Sequence, residues 1–326
     1  MSSAAGPARS RLAAVVYNPI KIDLDAVKAA VATAEKAAGW QTTLWFETSQ
    51  EDPGQGQTRE ALEAGADVVI AAGGDGTVRA VAEALHDSEA ALALLPSGTG
   101  NLLARNLKLT LADLDNAIAT AFTGDDREID LGLLDIRRED GTETSHVYLV
   151  MTGLGLDAKM LANTDDSLKK RVGWLAYAKA IAVTLLDRNQ LRFRYSFDDN
   201  PPRSLRAHTI IIGNCGALPG NILLLPDAAI DDGLFDIVLL RPDGVLGWLE
   251  IVYKVIWENG VIRRIPLLNR IRASGNETLR YMKAASIVVD LESPEIIEID
   301  GDDFGTATGF STSVKPGGLT VRVPRA

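Results

Sequence analysis

Gly73-Gly74-Asp75-Gly76-Thr77 follows an apolar run at 66–72 (ADVVIAA) and leads into a helical pattern at 78–85 (VRAVAEAL). Glycines at such a junction let the main chain turn sharply and approach a phosphate without side-chain obstruction. The helix that follows adds N–H donors and a partial positive charge. Asp75 in that loop is suited to hold a hydrated Mg2+ against phosphates, because Mg2+ takes one or two carboxylates and keeps its remaining waters. As a loop residue it is expected to have no packing role. The spacing is not that of a Walker loop, which ends in Gly-Lys-Ser/Thr. Nor is it the dinucleotide fingerprint, since Arg79 stands where the third glycine belongs. The bland alternative is an ordinary strand-to-helix turn, for which five such residues in this context are unusually specific.

A second loop repeats the arrangement. After ALALL at 91–95 come Pro96-Ser97-Gly98-Thr99-Gly100-Asn101 and then Leu102-Leu103-Ala104-Arg105. Thr99 and Asn101 are suited to hydrogen-bond a nucleotide and Arg105 to neutralise phosphate; alone, the segment reads as a tight turn with an asparagine cap. Asn18-Pro19, followed by Lys21, ends the first apolar run, and Thr48 ends the second. Each is a weak signal by itself, but all four loops leave one edge of a sheet, where parallel sheets bind their ligands.

The elements that must position these loops alternate regularly. Strands at 12–17, 42–48, 66–72 and 91–95 alternate with helices at 23–38 (ending at Gly39), 57–65, 78–85 and 100–107. That pattern predicts a parallel sheet covered on both faces. From residue 129 the rhythm changes: 129–137 and 146–155 flank a polar turn with Asp140-Gly141, and 191–197 and 206–214 flank another. Runs at 233–241, 285–291 and 295–301 add strands, and helices are expected at about 170–187 and 244–260. The second half therefore reads as an antiparallel sandwich or barrel. The first eleven residues read as a frayed tail.

Composition narrows the function classes. The chain has 326 residues, 46% of them hydrophobic, enough for two domains. Its 33 basic against 44 acidic residues give a net charge of −11, which argues against a nucleic-acid partner. The single Cys215 excludes an internal disulfide and a cysteine-rich zinc site. His86, His146 and His208 have no metal-ligand spacing. No apolar run approaches the roughly 18 residues of a membrane helix, and 12–17 is too short for a signal-peptide core. A soluble protein of a reducing compartment is expected.

Together, in order and spacing, the loops resemble the diacylglycerol kinase catalytic-domain family, which includes bacterial lipid kinases and the sphingosine and ceramide kinases. Gly153-Leu154-Gly155-Leu156-Asp157-Ala158 is similar to that family's GxGxDA segment. Residues 226–236 (PDAAIDDGLFD) resemble its PxAxxxDGxLD stretch. Asp300-Gly301-Asp302 stands at its DGE, and 314–324 (VKPGGLTVRVP) looks like its closing strand. The resemblance implies an NAD-kinase-like parallel α/β nucleotide-binding domain at 12–128, completed by a returning strand at about 306–326, with an antiparallel β-sandwich lipid-substrate domain at 129–305. It implies an ATP- and Mg2+-dependent lipid kinase acting on diacylglycerol or a related alcohol. ATP would lie against Asn18, Pro19, Ile20, Lys21, Ile22, Thr48, Gly74, Asp75, Gly76, Thr77, Val78, Arg79, Ala80 and Thr99, with Gly73, Gly98, Asn101 and Arg105 in the same two loops. Asp232 would bind a structural Mg2+ with the main-chain oxygens of Ala229 and Leu234, and Asp302 would be the general base. The chain departs from the family pattern in four places. Asp302 replaces a glutamate, Arg79 an asparagine and Leu102 an acidic residue, and the first loop (NPIKI) has no glycine. Asp130 and Asp75 are the remaining candidates for the metal network at position 102.

An enzyme for an insoluble alcohol must meet a bilayer. Residues 244–257 (GVLGWLEIVYKVIW) are rich in large apolar side chains, and 254–283 carries Lys254, Arg263, Arg264, Arg270, Arg272, Arg280 and Lys283 against Glu258 and Glu277. Such a segment suits an anionic membrane; a core helix followed by a solvated charged face is the alternative. The partners expected are a lipid substrate at the membrane surface, an anionic bilayer met through 244–283 and a second copy of the chain in a homodimer. The expected location is cytoplasmic, with transient membrane association. Two other readings stay open: an NAD kinase, which shares GGDGT and the fold, and a nucleotide-binding regulatory protein without kinase activity.

Overall fold

A computed structural model of the chain describes residues 10–111, 113–155, 190–198, 200–218, 222–242, 247, 250–251 and 278–325. The helix expected at 170–187 lies outside the described residues, as does most of 244–260. The chain divides into two compact units, one of residues 1–129 with 317–326 and one of 130–316.

The first unit is a parallel sheet with helices on both faces. Strands β1 (Ala13–Tyr17), β2 (Leu44–Glu47), β3 (Val68–Gly73) and β4 (Ala91–Pro96) stand in the order β2-β1-β3-β4. Val15 is opposite Trp45 on one side and Ile70 on the other, and Ile70 is opposite Ala93. The last strand of the chain closes this sheet, with Val321 parallel to Leu92. The inner strands β1, β3 and β4 are buried on both faces and are nearly continuous Ala/Val/Leu/Ile runs, as covered parallel sheets require, while the edge strand β2 (LWFE) is partly exposed.

Helix α1 (Leu24–Ala38) is bounded by an Asp23 cap, whose Oδ1 accepts the Ala26 N–H at 3.1 Å, and by Gly39 at φ 71°. Its buried Val27 and Val31 share a core with Val15, Ile70 and Ala93, and with Ile118 and Phe122 of α5 (Leu114–Thr123). The sequence reading assigned no element to α5, which Asp113 caps. Helices α2 (Gln55–Glu63) and α3 (Asp75–Leu85) lie against the other face, and a short α4 (Leu102–Asn106) follows β4.

The second unit is antiparallel. β5 (Asp125–Arg137) enters it and pairs with β6 (Glu143–Tyr148) across the expected Asp140-Gly141 turn. β7 (Met151–Leu154), β10 (Thr209–Gly213), β13 (Phe235–Leu240) and β14 (Leu279–Ala284) form one leaf in the order β14-β13-β10-β7. The long β15 (Ser286–Ile299) joins that leaf through Ile297 opposite Leu154. Its first half pairs instead with β8 (Leu191–Phe197), which pairs with β9 (Arg203–Ala207). A register irregularity between Asp290 and Glu295 allows one strand to serve both leaves. β16 (Asp302–Val323) runs back along β15, and a two-strand pair, β11 (Ala217–Leu218) with β12 (Ile222–Leu223), stands apart. Tyr148, Phe193, Phe235, Ile237, Val289, Ile299 and Phe310 come from both leaves into one core.

Four expected strands differ in the structure. The run 146–155 breaks after Tyr148, because the N–H groups of Leu149, Val150 and Met151 all donate to the Asp300 carboxylate. The run 206–214 breaks at His208, whose N–H donates to Leu240, so that half-exposed β9 edges one leaf and fully buried β10 crosses the other. The runs at 285–291 and 295–301 are one strand, β15.

Candidate active site

At the carboxyl edge of the parallel sheet the main chain continues its ladder into the loops. Asn18 N–H donates to Ala72 O at 2.9 Å, Thr48 N–H to Tyr17 O at 2.9 Å and Ser97 N–H to Gly73 O at 3.1 Å. These bonds bring the four loops side by side. Gly73 ends β3, Gly74 is the N-cap of α3, and Asp75 is that helix's first residue rather than a loop residue.

The two glycine loops are locked together. Asp75 Oδ2 accepts the Asn101 N–H at 2.9 Å and Oδ1 the Leu102 N–H at 2.6 Å. The Asp75 carboxylate therefore caps α4, and the expectation that it has no packing role is corrected. The Asn101 side chain closes its own loop, accepting from Gly98 N–H at 3.0 Å and donating to Gly98 O at 2.8 Å. Arg105 Nε donates to Gly100 O at 2.6 Å. Asn101 and Arg105 thus hold the loop in shape, with Asn101 itself left-handed at φ 47°. Thr99, at the tip, is exposed.

The loops also touch backbone to backbone. A Cβ on Gly98 would stand 2.9 Å from Gly74 Cα, which cannot move without shifting the start of α3. Gly98→Ala is expected to cost about 1–3 kcal/mol by overpacking and to weaken the nucleotide binding expected of these loops by about tenfold or more. Thermal unfolding and nucleotide titration check both.

The other expected nucleotide contacts are distributed unevenly. Pro19, Ile20 and Lys21 are exposed, with Ile20 at 85%, and Ile22 packs against the core. Gly76 and Arg79 are partly exposed. Thr48, Thr77, Val78 and Ala80 are buried, so the apolar side chains of Val78 and Ala80 support the helix from inside.

In the second unit, Asp300 and Gly301 form the tight turn between β15 and β16, both at positive φ (50° and 91°), with Ile299 opposite Asp302. That is what an Asp-Gly hairpin turn demands. Asp300 is 5% exposed, and its carboxylate accepts three backbone N–H groups, from Leu149 at 3.0 Å, Val150 at 2.8 Å and Met151 at 3.0 Å. Asp302 is exposed as the first residue of the returning strand. Asp300 was missed as a site-shaping residue, although its Asp-Gly dipeptide signals the turn. Asp300→Ala leaves three donors without their acceptor and is expected to destabilise the chain by roughly 3 kcal/mol. Denaturant unfolding beside Asp303→Ala, an exposed neighbour, checks it.

Asp130, 2% exposed on β5, accepts the Gly233 N–H on Oδ2 at 2.6 Å, and its own N–H donates to Ile230 O. It fastens the 226–234 turn, where Gly233 is left-handed at φ 73°. Asp232, the residue expected on a Mg2+, meets Lys283 Nζ at 2.9 Å, and the same ammonium stands 3.0 Å from Asp236 Oδ2. Burial pushes the Asp236 carboxyl above its ordinary value, an effect that Lys283 opposes. Burial also pulls the Lys283 ammonium down, but its bonds to Asp232 and Asp236 outweigh this and hold its pKa above the usual lysine value. Lys283 was counted with the basic run and missed as a site residue; nothing in its sequence context signals the pairing. Among the described residues no group of three or more His, Cys, Asp or Glu side chains is arranged to hold a metal ion.

Known proteins share the domain order and the fold of this chain. Residues 13–134 match the diacylglycerol kinase catalytic domain, and residues 150–323 match the YegS C-terminal NAD kinase beta sandwich-like domain. A Pseudomonas aeruginosa protein named "Probable lipid kinase YegS-like" is 32% identical over 305 residues, covering 91% of this chain and 89% of that protein. A solved diacylglycerol kinase from Bacillus anthracis superposes with a TM-score of 0.65 at 19% identity, over 96% of both chains. An Archaeoglobus fulgidus NAD kinase in complex with ATP superposes at 0.50 and 11% identity, over 96% of this chain and 93% of that one. The last two show shared fold alone. With both domain matches running in order along the chain and a relative of this identity over nine-tenths of it, the chain belongs to the YegS-like lipid kinase family.

Proposed function

We propose that the protein transfers the γ-phosphoryl group of ATP to a lipid hydroxyl, with diacylglycerol or a closely related alcohol as acceptor. The observation that carries this reading is the pair of glycine loops locked by Asp75 at the carboxyl edge of the parallel sheet. They are a preformed backbone cradle at the start of an eleven-residue helix, suited to a polyphosphate. Phosphoryl transfer asks little covalent chemistry of a protein; it needs positioning and charge neutralisation.

In this reading the Gly73–Thr77 and Ser97–Asn101 loops orient the phosphates. Asn18 to Ile22 and Thr48 border the nucleotide, and Thr99 reaches it from the loop tip. Asp75 places a carboxylate where the two glycine loops meet, so it is suited to a hydrated Mg2+, which when bound would offset the phosphate charge. Asp302 accepts the proton of the acceptor hydroxyl as the oxygen attacks phosphorus. Exposure at a hairpin turn leaves it open to a bulky lipid alcohol. The bilayer would be met through 244–283, of which Arg280 is exposed, while Lys283 is held by its aspartates. Among the described residues no helix is long and apolar enough to cross a membrane.

The test presents γ-labelled ATP with extracted cellular lipids and, in parallel, with NAD. Label in the organic phase is the expected result. Label in NADP would replace this reading with the NAD kinase alternative, and bound ATP with no labelled acceptor would replace it with the regulatory one.

A further inference from the structure

The family resemblance implies a structural Mg2+ on Asp232 and the main-chain oxygens of Ala229 and Leu234, but an ammonium stands at that turn. Lys283 projects from β14 directly opposite Asp236 in the β13–β14 ladder. Its Nζ donates to Asp232 Oδ2 at 2.9 Å and to the Asp227 carbonyl oxygen at 3.1 Å, and forms an ion pair with Asp236 Oδ2 at 3.0 Å. The last contact falls outside hydrogen-bond geometry. We propose that the Lys283 ammonium takes the place of the divalent cation here, as an internal cation that ties Asp227, Asp232 and Asp236 together and keeps a metal ion out of the turn.

Charge and valence both support this. The Asp236 side chain is 6% exposed, so its carboxylate needs a cation beside it, and Lys283 is placed to supply one. An ammonium donates and never accepts, and this one has two oxygens as hydrogen-bond acceptors and a third as an ion-pair partner. Asp232 Oδ1 already accepts the Leu234 N–H at 3.2 Å while Oδ2 binds Lys283, so both of its oxygens are engaged. A divalent ion on Asp232 would share that carboxylate with a positive charge. Asp130 adds a further tie to the turn, its carboxylate holding the Gly233 N–H and its own N–H the Ile230 carbonyl. A neutral residue at 283 would leave an acidic cradle without its cation.

The inference is independent of the phosphoryl acceptor, and its test needs no activity. The full chain, free of nucleotide, is melted in excess Mg2+ and in EDTA, and its Mn2+ binding is followed by electron paramagnetic resonance beside Asp232→Asn. The wild-type midpoint is expected to be the same in Mg2+ and EDTA, with Mn2+ binding indistinguishable from that of Asp232→Asn. Lys283→Met is expected to lower the midpoint by roughly 4–8 °C. A wild-type midpoint raised by Mg2+ but not in Asp232→Asn, or Mn2+ binding that depends on Asp232, overturns the proposal. So does a Lys283→Met chain as stable as wild type. Should Lys283→Met fail to fold, the comparison of wild type with Asp232→Asn decides alone.

Discussion

Asp75→Ala is expected to lower lipid phosphorylation by at least about 10³-fold, the scale on which loss of charge organisation at a transferring phosphoryl group is felt. The variant is also expected to lose stability, because its carboxylate is the acceptor for the Asn101 and Leu102 N–H groups. Two orphaned donors at a partly buried loop are worth roughly 1–3 kcal/mol. The two effects separate by measurement. Asp75→Asn keeps one acceptor oxygen, so its melting midpoint should fall between those of wild type and Asp75→Ala, while its turnover should stay close to that of the alanine variant. Either variant retaining more than about a tenth of wild-type turnover, a barrier change under ~1.4 kcal/mol, would leave Asp75 with a purely structural role.

Asp302→Asn carries the second large effect. The amide keeps the shape of the side chain but takes no proton, so lipid phosphorylation should fall by about 10²–10⁴-fold with ATP binding unchanged. Asp302→Glu restores the family's usual residue and is expected to keep or raise the rate. Asp303→Asn is the control of choice, since Asp303 is exposed in the same strand. Asp300 cannot serve, because its carboxylate holds three backbone donors and its loss perturbs the turn itself. Equal sensitivity of Asp302 and Asp303 would remove the base assignment.

The parts of the fold most legible in the sequence were those governed by local rules. Asp23 and Gly39 bracket α1, Asp140-Gly141 turns a hairpin, and Gly73 to Thr77 joins a buried strand to a helix. What escaped was set by residues far apart in sequence. Nothing between 146 and 155 announces that Asp300, 149 to 151 positions away, will take three N–H groups and split the strand. The first part of β16, rich in Thr, Ser and Gly, lacks apolar alternation; its pairing with β15 makes it a strand. β14 was hidden because LRYMKA carries two cations and reads as part of a basic surface, whereas one of them, Lys283, closes a turn against three oxygens. Within the candidate site the glycines and Asp75 were found by motif. That Asn101 and Arg105 shape the loop is visible only where their partners can be seen.

Phosphoryl transfer from ATP to a lipid alcohol is decided by incubating the full chain with γ-labelled ATP, Mg2+ and vesicles of anionic phospholipid containing diacylglycerol, beside the Asp75→Ala and Asp302→Asn variants. The expected result is label in phosphatidic acid that depends on diacylglycerol and is lost in both variants. Bound ATP with no labelled lipid from the wild-type chain, or equal labelling by all three proteins, would contradict it.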